Sequence, residues 1–478
     1  MSEPLWTSRA MAEAMGALIT GAPPEAISGI SIDSRSIAPG EAYFAIKGDV
    51  HDGHDFVAAA LQAGAALAVV ASVQRGRFAA DAPLLVVEDV LAALVDLARA
   101  SRTRLGARVI AVTGSVGKTS TKEALLRVFS AQGKTHASVA SFNNHWGVPL
   151  SLARTPALSD FAIFEIGMNH AGEIEPLVRL VRPHIAIITT VEPVHLEFFA
   201  GVEAIADAKA EIFAGLEPGG AAVLNRDNPQ FDRLRRQAKK IGVSRIVSFG
   251  VDKKADARLI EVSLHPTSSA VHADILGHEV TYKLGMPGAH MAMNSLAVMA
   301  AARLAGADLA LAGLTLSQVQ PATGRGARHG LWLTSGEATL IDESYNANPA
   351  SMTAALNVLG HAAVGRHGRR IAVLGDMLEL GPASADLHRG LNEAVKSNTI
   401  DMVFCCGPMM RNLWDTLSLG YRGGYAGSAA ELESQVVTAI RAGDVIMVKG
   451  SLGSRMKTIV NALEKHFPHK AAPDDAAT

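Results

Sequence analysis

The sequence predicts an α/β protein of three domains, and three observations carry that prediction. Continuous apolar runs alternate with helical segments from residue 84 to residue 318, the pattern of a parallel sheet covered on both faces. The alternation breaks at a stretch holding Pro321 and Gly324-Arg325-Gly326. It restarts over 319–466, which implies a second, independent α/β domain joined through a hinge. Ahead of both, residues 25–83 carry shorter strand-like runs around one helix-like segment, so the first domain is assigned to 1–83 and the last to 319–478.

A length of 478 residues fits about three domains at roughly 100–200 residues each. Hydrophobic residues make up 49% and charged residues 19%, enough apolar mass for packed cores and too little charge for a disordered chain. Lys+Arg 44 against Asp+Glu 46 excludes a generic nucleic-acid binder but leaves room for local basic pockets. Met1-Ser2-Glu3-Pro4 has neither a basic n-region nor an apolar h-region. The longest apolar stretches, Ala58–Ala71 and Met291–Ala302, fall short of the roughly 20 residues of a membrane span. A cytoplasmic protein without a membrane span is expected. Cys405 and Cys406 are adjacent, without CxxC spacing or a neighbouring His pair. They read as a buried strand end rather than a metal site or a disulfide framework.

In the first domain, Ala42–Ile46 and Ala66–Val70 read as strands around a helix at Phe56–Gly64. In the second, strands are expected at Val109–Thr113, Phe161–Ile166, Ile185–Thr190 and Ala221–Leu224. In the third they fall at Thr339–Ile341, Ile371–Leu374, Met402–Cys406 and Val445–Val448. The tail from Pro468 is small and polar, and is expected to be disordered.

The strand ending at Thr113 runs straight into Gly114-Ser115-Val116-Gly117-Lys118-Thr119-Ser120, and Thr121–Ser130 then reads as a helix with Ala124, Leu125, Val128 and Phe129 on one face. Strand, Gly-rich loop, GKT and helix together make a phosphate cradle. The glycines admit backbone N–H groups to the anion, and the helix N-terminus adds positive potential. Lys118 is expected on the β/γ-phosphates and Thr119 on Mg²⁺. Val112 stands where the strict pattern has Gly, so the loop is a slightly degenerate match that says nucleotide without naming a reaction.

Glu165 closes a strand and His195 follows the next one, both at the carboxyl edge where open sheets bind ligands. They read either as a second cation site or as a surface Glu and a loop His, and spacing does not separate the two. Lys209 shares a helical face with Ile205 and Ile212. A lysine kept on an apolar face has a depressed pKa, and its neutral amine can take up CO₂ as a carbamate, a carboxylate mimic able to hold Mg²⁺. The simpler reading is a snorkelling lysine with its head in water.

The motifs AVTGSVGKTSTKE (Ala111–Glu123), NNHWGVPLSL (Asn143–Leu152), EIGMNHAGEI (Glu165–Ile174) and AKAEIF (Ala208–Phe213) together resemble the Mur ligases. So do PGAHMAMN (Pro287–Asn294), Gly324-Arg325, IDESYNANPASM (Ile341–Met352), IAVLGDMLELG (Ile371–Gly381) and the N-terminal SIDSRSIAPGEAYFAIKG (Ser31–Gly48). The resemblance runs from about 25 to 460. It implies a UDP-sugar-binding N-terminal domain, a central ATP-binding P-loop domain and a Rossmann-like C-terminal domain.

Within the family, SYNANP with LGDMLELG resembles the ligase that joins D-alanyl-D-alanine to UDP-N-acetylmuramoyl-tripeptide in peptidoglycan precursor synthesis. ATP goes to ADP and phosphate, and an acyl phosphate is the implied intermediate. By resemblance, residues Thr113 to Ser120 bind ATP, Lys118 and Thr119 serve its phosphates and a first Mg²⁺, and Glu165 and His195 hold a second. Lys209 becomes the lysine expected to be carbamylated. Asn294 is assigned to adenine, Arg325 to ATP phosphate and Asp342 to the ribose. Ser34, Arg35 and Lys47 are assigned to the UDP-sugar, Asn143 and Asn144 to the muramyl peptide, and Tyr345 and Asn346 to the rim of the site.

The chain departs from the family in having Met291 after His290 where Asn is common, and Glu343 takes no role. Asp227-Asn228-Pro229 is read as a loop. A monomer is expected. The competing readings are a sister ligase adding a single amino acid (of the diaminopimelate-adding or folylpolyglutamate type), an inactive Mur-like binding module, and a P-loop switch.

Overall fold

A computed structural model describes residues 4–139 and 141–468; the rest of the expected tail, 469–478, lies outside the described residues. Four sheets organise the chain: a two-stranded ribbon, a five-stranded sheet, a nine-stranded sheet and a six-stranded sheet.

The five-stranded sheet is parallel through Gly29–Ser31, Glu41–Phe44, Leu67–Ala71 and Leu84–Val87, with Leu18–Thr20 antiparallel on the last. Leu84–Val87 therefore belongs to the first sheet. The division expected between 83 and 84 would cut its last paired strand away, because the continuous apolar run there does not reveal which sheet it joins. One hydrophobic cluster runs from Trp6, Ile30 and Phe44 through Leu94 and Leu97 into Val109, Phe164 and Ile188, so this unit shares a core with the next. Trp6 Nε1 donates to Ala153 O at 2.9 Å, and Arg154 Nε donates to Ile30 O at 2.7 Å across that junction.

In the nine-stranded sheet, Arg108–Thr113 lies between Phe161–Glu165 and Ile185–Ile188, all parallel. Chain order reverses there, which opens a crevice at the carboxyl ends of these strands. The sheet continues in parallel through Ala221–Asn225, Arg245–Gly250 and Ala257–Leu264, then turns antiparallel at Ser269–Ile275 and His278–Leu284. The strands expected from the sequence are thus parallel, and the sheet adds an antiparallel pair at one edge. Ser269–Ile275 alternates buried and half-buried residues, the mark of a strand packed on one face only.

Ala289–Ala305 forms a helix because Ala, Leu and Met dominate it. It is buried at Leu296, Val298 and Met299 against this sheet and stops at Gly306. Burial of each such side chain contributes about 1.5–3 kcal/mol. Leu296→Ala is the single change expected to loosen it most, at about 2–5 kcal/mol.

The six-stranded sheet is parallel through Gly336–Glu343, Val445–Lys449, Arg370–Gly375, Met402–Cys406 and Arg422–Ala426, with Ala327–Leu333 antiparallel at the edge. Separate apolar clusters cover its two faces. Cys405 and Cys406 are unbridged and buried in a strand, as expected. Among the described residues, no helix is long and apolar enough to cross a membrane.

Candidate active site

The helix Lys118–Ser130 begins directly on the loop that leaves Arg108–Thr113. Gly114 and Gly117 hold φ 148° and 83°, and both are pressed against neighbours. A Cβ on Gly114 would lie 1.9 Å from Thr189 Oγ1, and one on Gly117 would lie 2.5 Å from Asn294 Nδ2. Only glycine lets the loop sit this close to both. Thr189 Oγ1 donates to Val116 O at 2.5 Å, and Ser115 N donates to Thr190 O at 2.9 Å, tying the loop to the neighbouring strand's end. Lys118 folds back so that Nζ donates to Gly114 O at 2.7 Å. Burial lowers its pKa, with Glu165 opposing and Arg325 adding to the effect. The buried Thr119 occupies the first turn of the helix.

Beside the loop, Asn143 Nδ2 donates to Glu165 Oε1 at 2.7 Å, while Glu165 Oε2 is buried and has no partner among the described residues. Lys209 is 2% exposed, which overturns the snorkelling reading: its head is not in water. Its Nζ makes no hydrogen bond or ion pair among the described residues. Burial, reinforced by Lys118, drives its pKa well below the usual lysine value. His195 Nδ1 lies 2.5 Å from Glu379 Oε2 of the third unit. Burial pushes the His195 imidazolium toward the neutral form, Glu379 opposes this, and Lys118 and Lys209 add to it. An unpartnered carboxylate oxygen, a buried hydroxyl and a buried neutral amine able to become a carbamate make an oxygen-rich donor set that fits a divalent cation. Among the described residues, no group of three His, Cys, Asp or Glu alone makes a metal site, so Thr119 and a carbamate at Lys209 would be needed to complete one.

The third unit closes the other wall. Arg325 reaches Ser141 Oγ at 3.3 Å and stacks 4.2 Å above the Tyr345 ring. The resulting cleft, about 480 Å³, brings Lys118, Thr119, Glu165 and His195 together with Asn294 and Arg325, and also holds residues 115–117, Ser120, Asn143, Tyr345 and Asn346. Thr113, Gly114 and Lys209 stand behind this lining. Asp342 is also absent from the lining. It is wholly buried, and its carboxylate accepts from Gly324 N, Ser344 N and Oγ, and Lys457 Nζ. In this structure Asp342 holds the turn that presents Arg325.

A second cleft of about 1170 Å³ adjoins the first and shares Asn143 and Gly167 with it; Asn144 lines this one, and its Oδ1 accepts from Gly147 N at 2.9 Å. Ser34 and Arg35 follow the strand Gly29–Ser31, and Lys47 follows Glu41–Phe44. All three lie beyond the carboxyl ends of adjacent parallel strands. Arg35 is engaged with Asp33 at 2.7 Å and holds that carboxyl down at about 2.

Sequence reading missed the pair Glu343 and Lys449, 3.1 Å apart on facing strand ends and both lining the cleft. A lysine closing an apolar strand was the available signal. It also gave no role to Glu379, although the residue stands inside a quoted motif.

A phosphate loop at the crevice of one α/β unit, faced by an arginine from another, defines a nucleotide-dependent enzyme whose site is assembled between units. Family descriptions match in sequence: "Mur ligase family, catalytic domain" over residues 26–102, "Mur ligase middle domain" over 112–302, and "Mur ligase, glutamate ligase domain" over 331–452. The chain belongs to the Mur ligase family. It is 33% identical over 448 residues to UDP-N-acetylmuramoyl-tripeptide–D-alanyl-D-alanine ligase of Escherichia coli strain K12, covering 92% of this chain and 94% of that one. Among solved structures it is similar to MurF from Acinetobacter baumannii, at 30% identity and TM-score 0.82, covering 97% of this chain and 99% of the other. It is also similar to MurF ligase from Thermotoga maritima in complex with ADP, at 25% identity and TM-score 0.75, covering 92% and 97%.

Proposed function

We propose that this chain is the Mur ligase that joins D-alanyl-D-alanine to UDP-N-acetylmuramoyl-tripeptide, with ATP going to ADP and phosphate, in peptidoglycan precursor synthesis. The observation that carries the reading is the meeting of Lys118 and Arg325, from different units, in one cleft, in a chain that matches such ligases over nearly its whole length.

A carboxylate is a poor electrophile because oxide is a poor leaving group. Moving the γ-phosphoryl group of ATP onto it gives an acyl phosphate, and two anions must meet for that to happen. Lys118, the loop N–H groups and Arg325 supply fixed positive charge where negative charge spreads in the transition state. The amine of the dipeptide then attacks the acyl carbon, the tetrahedral intermediate collapses, and phosphate leaves as the amide forms. Thr119, Glu165, His195 and a carbamylated Lys209 would hold two Mg²⁺ ions, which when bound neutralise phosphate charge. Asn294 borders the adenine. Ser34, Arg35 and Lys47 form the outlying UDP-sugar contact, and Asn143 and Asn144 lie on the route of the muramyl peptide between the two clefts. We take the chain to act as a monomer. We divide the chain into UDP-sugar, ATP-binding and C-terminal ligase parts, the last beginning near residue 319.

The test supplies purified protein with ATP, Mg²⁺, UDP-muramyl-tripeptide and D-Ala-D-Ala, and follows phosphate release and the UDP-pentapeptide by mass. Pentapeptide that is lost when single amino acids replace the dipeptide supports the reading. A product carrying one added amino acid moves the chain to a sister ligase, and no turnover leaves a binding module.

A further inference from the structure

Glu379 touches the central unit from outside it. Its carboxylate meets His195 Nδ1 at 2.5 Å, and its carbonyl accepts from Glu197 N at 3.4 Å. Two residues on, a Cβ on Gly381 would lie 3.3 Å from Glu197 Cα, so the backbones of the two loops are in close contact. Both His195 and Glu379 hold left-handed backbone, at φ 55° and 61°, without being glycine. That conformation is sterically disfavoured for a residue with a Cβ. Glu379 is 46% exposed, so water weakens its hydrogen bond with His195. Strained backbone of this kind gathers where geometry serves function.

An ionised carboxylate only accepts, so Nδ1 must carry the ring proton, and the lone pair is left on Nε2. We propose that Glu379 is a positioning residue: from the third unit it fixes the tautomer and ring orientation of His195, so that His195 is competent only when that unit is docked. Carboxylates that orient a ligating imidazole through its other nitrogen affect metal affinity or activity by about 10–100-fold. The inference rests on the ligase reading for its kinetic consequence and on the structure alone for the contact.

The experiment has two arms. Histidine-¹⁵N-labelled protein, free of metal and substrate, is examined by long-range ¹H–¹⁵N NMR, with His195 assigned from a His195→Gln variant. Wild type is expected to show the Nδ1-protonated tautomer and a downfield Nδ1 proton, and Glu379→Ala is expected to lose both. In turnover assays Glu379→Ala is expected to lose about 10–100-fold in kcat and to need more Mg²⁺. Glu379→Gln, which keeps an acceptor, should recover part of the loss. Identical His195 resonances in wild type and Glu379→Ala, or a Glu379→Ala variant at full kcat, would overturn the proposal. The NMR arm needs no reaction, so it reports on the pair even if wild type itself proves not to be a ligase.

Discussion

Asn143 Nδ2 holds Glu165 Oε1 at 2.7 Å, and the second carboxylate oxygen is left buried with no partner among the described residues. A buried polar atom without a partner costs about 1–3 kcal/mol, more if charged, so its persistence points to a partner that arrives with the reaction. Glu165→Gln removes the charge and keeps the shape. Turnover should fall by about 10²–10³-fold, the scale of losing one electrostatic contact to a transition state. The melting temperature should hold, because Gln keeps an acceptor for Asn143 Nδ2. Wild-type turnover in this variant would show that the free oxygen serves nothing.

Lys209 is buried, unpartnered among the described residues and shifted toward the neutral amine. A neutral amine attacks CO₂, and the carbamate places a negative charge beside Lys118. Activity is therefore expected to fall in protein stripped of CO₂ and to return with bicarbonate, and ¹³C-bicarbonate should give a carbamate signal by NMR. Lys209→Arg, which replaces the amine with a permanently charged group that forms no carbamate, should be inactive. Full activity in Lys209→Arg would remove the carbamate from the account.

Much of this arrangement was legible in the sequence because short-range rules govern it. The apolar strand, the glycines and GKT define the loop locally, so the strand expected at Val109–Thr113 and the helix expected at Thr121–Ser130 are found as Arg108–Thr113 and Lys118–Ser130. What stayed hidden depends on partners distant in sequence. The role of Asp342 became clear only when Gly324, Ser344 and Lys457 were seen around it. The antiparallel Ser269–Ile275 and His278–Leu284 carry only partial burial, which leaves a weaker apolar signal than the fully buried Ile185–Ile188. Glu379 and His195 are 184 positions apart, and nothing local joins them.

His136 gives an acid limb to stability. Burial holds its pKa down to about 4 from 6.5, with Ser151 O opposing and Arg154 assisting. The unfolded chain then binds more protons between these values, so stability is complete above pH 6.5 and is lost as pH falls toward 4. The difference sets an upper bound of about 3 kcal/mol. His136→Gln keeps a donor for Ser151 O without a titrating ring. Urea unfolding from pH 7 to about 4 should show a flatter profile in the variant. Parallel profiles would place the acid sensitivity elsewhere.

Arg325 carries the third unit's charge into the cleft, and the ring of Tyr345 lies 4.2 Å beneath its guanidinium. Stacking of this kind contributes about 0.5–2 kcal/mol and, more to the point, fixes the plane of the fork. Arg325→Lys keeps the charge but replaces a planar five-donor group with a mobile point charge. A loss of about 10²-fold in kcat/KM is expected, although the charge is unchanged. Tyr345→Leu leaves Arg325 in place without its support and should cost about 2–30-fold. If the ring acts by holding the fork, it has nothing left to hold in the Arg325→Lys background, and the two losses should not multiply. A coupling of about 0.5–3 kcal/mol in the double-mutant cycle would show this. Multiplicative losses would mean that Tyr345 meets the substrate by itself, and that Arg325 is oriented by Ser141 and the Asp342-anchored turn instead.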